Sequence, residues 1–149
     1  MDKPSLKRML PIWTAFLCLV ASGCEKNRRQ NFPNTQFEEY IYLNNPTSLP
    51  LQTIGGVITH PGGYRGLLVY RRYQNRAEGD FAAYDRGCPQ HFAQDCGQLE
   101  ISADQSYAEC PCEGERYLLF DGSPADKARL PLISYPTSFD GSILYITNR

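Results

Sequence analysis

Histidine is the scarcest chemistry-bearing residue of this 149-residue chain, which has two, His60 and His91, beside one Trp and two Met. Hydrolysis by a Ser-His-Asp arrangement would have to recruit one of them, and no G-x-S-x-G nucleophile elbow is present. Charge of one sign is also missing. Fifteen Lys and Arg stand against sixteen Asp and Glu, for a net charge of −1, so there is no electrostatic case for nucleic-acid binding. No long helical period appears, and the apolar run at residues 9–20 is too short for a comfortable membrane span. The glycine pairs Gly55-Gly56 and Gly62-Gly63 precede neither a helix nor a Lys-Ser/Thr pair, which leaves turns rather than a phosphate loop.

The chain does have twelve Gly, eleven Pro and ten Tyr within a 42% hydrophobic composition, and this favours one turn-rich, all-β domain. Its first residues read as an address. Lys3, Lys7 and Arg8 precede the apolar run, and Ala21, Ser22 and Gly23 lead to Cys24. This resembles a bacterial lipoprotein signal (residues 1–23), with Cys24 as the lipid-bearing N-terminus of an exported envelope protein, although such signals usually carry Leu where Ala21 stands. Residues 24–36 are polar, with Lys26, Arg28 and Arg29, and read as a flexible tether suited to an anionic membrane surface. Without the leader the net charge is about −3.

Residues 37–149 form the expected domain. Short runs rich in β-branched and aromatic residues between Gly, Pro and Asn punctuation predict strands at 37–43, 51–53, 57–59, 67–72, 81–85, 98–101, 107–109, 116–119, 133–135 and 142–147. His60 reads as a surface turn residue, and Tyr70-Arg71-Arg72-Tyr73 as a strand with a solvated face. Export permits disulfides, and four cysteines remain once Cys18 and Cys24 are set aside. They fall in two clusters, Cys88-Pro89-Gln90-His91 with Cys96, and Cys110-Pro111-Cys112-Glu113-Gly114.

These loops carry a resemblance, together with the strand ending at Tyr84-Asp85-Arg86, the return Cys96-Gly97-Gln98-Leu99-Glu100, Phe120-Asp121-Gly122-Ser123-Pro124, Leu130-Pro131-Leu132 and the closing 135–141 hairpin. The chain from residue 37 to 146 resembles a Rieske-like domain of exported bacterial lipoproteins. The resemblance implies an antiparallel β-sandwich or barrel whose small subdomain, residues 86–119, presents two loops at one tip. In full Rieske domains each loop gives one Cys and one His to a 2Fe-2S cluster, and high-potential members add a disulfide between the loops. By position, Cys88 and Cys110 match the thiolate ligands, Cys112 matches the loop-two disulfide cysteine, and Cys96 is the one candidate for its partner. Gln90 and Glu113 occupy the histidine positions, and His91 lies one residue late.

A glutamine amide is a poor iron ligand, and a carboxylate ligand adds negative charge and lowers a cluster's potential. The first reading is therefore a non-enzymatic, cluster-free domain with Cys96 bonded to Cys112 and an optional second bond between Cys88 and Cys110, acting structurally or through a protein partner. The alternative is an electron carrier whose 2Fe-2S cluster is held by Cys88, His91, Cys110 and Glu113. Two lesser readings are a four-thiolate zinc or iron site and a thiol-disulfide exchange site, which lacks the Cys-x-x-Cys spacing. Tyr107, Tyr117, Phe81 and Phe92 either shield such a site or simply fill the core.

Overall fold

The computed structural model describes residues 31–76 and 78–149. The expected signal, Cys24 and the tether as far as residue 30 lie outside the described residues. From Asn31 onward the chain belongs to one compact unit, Asn31–Arg149. Phe32 packs against Tyr64 and Phe92, with ring centroids 5.7 and 5.0 Å away, so the tether's last residues lie against the domain.

Among the described residues, ten strands make three antiparallel sheets. The first has the order β1 (Phe37–Tyr42), β10 (Ile143–Asn148), β9 (Thr137–Phe139). The second runs β2 (Val57–His60), β3 (Leu67–Arg71), β4 (Phe81–Asp85), β8 (Ser134–Tyr135). The third is the meander β5 (Glu100–Ile101), β6 (Tyr107–Cys110), β7 (Glu115–Leu118). The all-β expectation agrees with this architecture, and no helix among the described residues is long and apolar enough to cross a membrane.

The second sheet separates two cores. Successive side chains of a strand point to opposite faces, so Leu67 and Val69 of β3 and Phe81 and Ala83 of β4 join Ile41, Leu144 and Ile146 on one side. Leu68, Ala82 and Tyr84 enter the other core, with Cys88, Leu99, Ala108, Cys110, Tyr117 and Leu119. This is why β3 and β4 are apolar without alternation: both of their faces are buried. The second core ties the subdomain that bears the cysteine loops to the rest of the sandwich.

Three local expectations are corrected. The strand expected at 51–53 is instead the end of a 3-10 helix, Pro46–Gln52, with Pro at its start and Pro50 inside it. Proline has no N–H to give a ladder, and the apolar signal of Leu51 comes from full burial in the first core. Arg71 is not on a solvated face. It is buried, lies over the Phe81 ring at 4.2 Å and pairs with Asp80 at 3.3 Å. His60 ends β2 and bonds Glu39 of β1 at 3.2 Å, so it bridges two strands rather than capping a turn.

Candidate functional site

Loop one leaves β4 at a fixed point. Asp85 is fully buried, and its carboxylate accepts hydrogen bonds from the Tyr64, Arg65 and Gly87 backbone N–H groups at 2.6, 3.3 and 2.6 Å and from the Tyr135 hydroxyl at 2.8 Å. Burial, followed by the charge of Asp85, pushes the Tyr135 phenol up from its ordinary range. Beyond Cys88 the chain coils through successive tight turns, His91 N to Cys88 O, Gln94 N to His91 O and Gly97 N to Gln94 O, at 2.9 to 3.1 Å. Cys88 N closes the loop on Gly97 O at 2.8 Å. A side chain at Gly97 would stand 1.9 Å from His91 O, so glycine is required there. Arg65 braces the outside, donating to Phe92 O at 2.9 Å and Gln94 O at 2.8 Å.

Loop two is the turn between β6 and β7. Gly114 takes a left-handed φ of 73°, open to glycine without strain, and Gly114 N bonds Cys110 O at 2.9 Å. The register pairs Cys110 with Glu115. Paired residues of an antiparallel ladder share a face, and alternation along β7 then turns Glu115 and Tyr117 inward and Arg116 and Leu118 outward. The inward set Cys110, Glu115 and Tyr117 meets Cys88 from loop one.

Cys96 and Cys112 form a disulfide that joins the loops, with Cα atoms 5.2 Å apart, as the resemblance implies. The four-thiolate metal reading is overturned, because two of its sulfurs are bonded to each other. Cys88 and Cys110 are buried free thiols, so the optional second bond is not formed. The Tyr117 hydroxyl lies 3.5 Å from Cys88 Sγ. Burial, reinforced by the hydrogen bond with Cys88, pushes the Cys110 thiol well up, and the same two causes raise the Tyr117 phenol. A thiol raised in this way is protonated and sluggish, which disfavours thiol-disulfide exchange at Cys110.

Glu115 is the residue that sequence reasoning missed. Its side chain is 1% exposed, and its Oε1 accepts hydrogen bonds from His91 Nε2 at 2.6 Å and Gln90 Nε2 at 3.1 Å. Gln94 Nε2 donates to His91 Nδ1 at 3.0 Å, which leaves the ring proton on Nε2, facing Glu115. Glu115 Oε2 has no partner, and among the described residues it is the one buried carboxylate oxygen in that state. The sulfurs of Cys88 and Cys110 and a carboxylate oxygen of Glu115 lie within 4.8 Å of one another. Atoms of His91, Glu113 and Glu115 form a second group of the same span. Glu113, expected as a ligand, is 70% exposed and stands 3.8 Å from His91 Nε2.

A Rieske centre needs two thiolates on one iron and two imidazoles on the other. Cys88 and Cys110 meet the first requirement. The second is not met: Gln90 is engaged by Glu115 and by the Arg129 N–H at 2.6 Å, Glu113 offers a carboxylate, and the single imidazole, His91, directs its Nε2 at Glu115.

No protein-family model matches the chain, and no curated protein matches it. Among solved structures it is similar to the plasma membrane Rieske protein of the cyanobacterium Synechocystis PCC 6803. The two share 17% identity at a TM-score of 0.50 over 71% of this chain and 97% of the other. It also aligns with a complex of oxygenase and ferredoxin in carbazole 1,9a-dioxygenase, at 20% identity and TM-score 0.49 over 77% of this chain and 96% of the other. The carbazole 1,9a-dioxygenase ferredoxin of Nocardioides aromaticivorans IC177 aligns at 19% identity and TM-score 0.46, covering 77% and 99%. At these identities the likeness is one of fold. The described residues take a Rieske-like β fold, in which Cys96–Cys112 joins the two loops.

Proposed function

We propose that this chain is a lipid-anchored protein of the bacterial envelope whose Rieske-like domain persists as a cluster-free scaffold, its disulfide-braced loop tip serving as the contact for a protein partner. One observation carries the reading. The Glu115 carboxylate is held by His91 and Gln90 and lies in reach of both free thiols, on the side where a cluster's imidazoles would have to stand free. Function belongs to the site rather than to the fold, and here one imidazole is spent on a buried carboxylate. The partner side of the reading rests on a cleft of about 650 Å³ beside the tip, lined by Gln90, His91, Glu113, Lys127, Ala128 and Arg129.

The test is iron and acid-labile sulfide content, with visible absorbance, on full-length protein purified in detergent without oxygen. The expected result is colourless protein without sulfide. About two irons and two sulfides per chain, lost in Cys88→Ser, would overturn it. That outcome belongs to a second reading, an electron carrier with a cluster on Cys88, His91, Cys110 and Glu113, which is favoured by the 3.8 Å approach of His91 to Glu113. The anchor has its own test: Cys24→Ser is expected to move the protein from membrane to soluble fractions, and unchanged partitioning would sink the lipid claim.

A further inference from the structure

We propose that Cys88, Cys110 and Glu115 form a site for a single divalent ion that takes sulfur and oxygen ligands, Zn(II) or Fe(II) in kind, with His91 and Gln90 holding the carboxylate from outside. The inference rests on the cluster-free reading, since a cluster would occupy the same sulfurs.

The donor set is already assembled and unspent. Two thiols are free and buried side by side. The third donor is the Glu115 carboxylate, whose Oε2 is buried without a partner. An orphan of this kind is costly in a folded interior, and a cation bound there would satisfy it. A tetrahedral ion with bonds of about 2.1 to 2.3 Å holds its ligand atoms roughly 3.4 to 3.8 Å apart. That spacing fits inside the 4.8 Å span of the three atoms.

The surroundings suit a metal as well. The Tyr117 hydroxyl lies 3.5 Å from Cys88 Sγ, a polar neighbour outside the three donors. His91 reaches the carboxylate by Nε2, and Gln94 fixes its tautomer from the other side of the ring. An imidazole or amide in that place orients a metal-bound carboxylate without touching the ion. His91 and Gln90 are therefore positioning residues here, and the fourth coordination position is left for water. Two thiolates and one carboxylate suit Zn(II), Fe(II) and Co(II) better than Mg(II) or Ca(II). Binding releases the two thiol protons to solvent, with no change of oxidation state.

The experiment is a Co(II) titration of the full-length protein, purified without oxygen in detergent and stripped with chelator, its free thiols and sulfide counted first. The expected result is one Co(II) per chain, with a thiolate-to-cobalt charge-transfer band, four-coordinate visible bands, and displacement by Zn(II). Glu115→Gln is expected to weaken binding at least about tenfold and His91→Ala about 10- to 100-fold, with shifted visible bands but the two-sulfur charge-transfer band retained. Glu113→Gln should leave both affinity and spectrum unchanged. If Glu115→Gln fails to fold, His91→Ala and Cys88→Ser, which should halve the charge-transfer band, decide the matter. Absence of that band at saturating Co(II) with both thiols free would overturn the site, as would a Cys88–Cys110 disulfide in the isolated protein or unchanged affinity in Glu115→Gln and His91→Ala. Acid-labile sulfide in the starting protein would instead overturn the cluster-free reading beneath it.

Discussion

Replacing Glu115 by alanine separates the site as folded from the site as the loop pattern alone suggests. The substitution removes the acceptor of two hydrogen bonds, from His91 Nε2 and Gln90 Nε2, each worth about 1.5 to 3 kcal/mol to a charged partner. It also leaves those two donors unpaired beside a buried void. Against this, an unsatisfied carboxylate oxygen disappears, which returns about 1 to 3 kcal/mol. The loss should win, with a net destabilisation of about 2 to 4 kcal/mol, near the figure for breaking a buried pair. That is a large share of a typical total of about 5 to 15 kcal/mol. Urea unfolding of metal-free protein, with chelator present, measures it. With a slope of about 1 to 3 kcal/mol per molar, the midpoint falls by roughly 1 M or more while the slope holds. Glu113→Ala is the matched control: its side chain is 70% exposed, so the cost stays within about 0.5 kcal/mol. Equal costs for the two variants, or a Glu115→Ala cost below about 0.5 kcal/mol, would refute the claim that Glu115 holds the tip together.

Two further outcomes follow from the same packing. The Cys96–Cys112 bond closes a loop of sequence separation 16, for which chain entropy predicts about 3 kcal/mol. The double variant Cys96→Ser/Cys112→Ser should therefore lose about that much in urea unfolding, and an unchanged midpoint would show that the bond does not constrain the loops. At alkaline pH, burial raises the folded-state pKa of Tyr84 to about 12 and pushes Tyr117 and Tyr135 up as well. Their contribution to stability is complete below pH of about 10, the unfolded phenol's value, and is lost as pH rises through the folded values. Tyrosinate absorbance from these three should appear together with loss of the fold. Smooth ionisation near pH 10 in protein that stays folded would contradict their burial.

How far the sequence carried the structure depends on which face of a strand faced what. Strands β3 and β4 were legible because both of their faces are buried, so their apolar runs are unbroken. Leu51 gave the same apolar signal from a 3-10 helix, since burial alone does not distinguish a strand from a proline-led turn. Arg71 was hidden because its charge is neutralised by Asp80, nine residues on, a pairing that exists only once β3 and β4 are side by side. The disulfide was legible only through the resemblance, since four cysteines alone leave three pairings open.

Glu115 was obscured by a one-residue difference in where β7 begins. With the strand starting at Arg116, Glu115 falls in the loop, while the resemblance draws attention to Glu113 through its histidine position. With the strand starting at Glu115, as folded, the ladder sets it opposite Cys110 and points it at the thiols, and the four-residue turn leaves Glu113 in solvent. The signal was present in the period-two pattern of Glu115 and Tyr117, which places a carboxylate on the face of a buried aromatic. A charged residue in that register is costly unless something meets it. His91 and Gln90 meet Oε1 and the two sulfurs lie in reach of the carboxylate, so the uncompensated burial in this tip is concentrated on Glu115 Oε2.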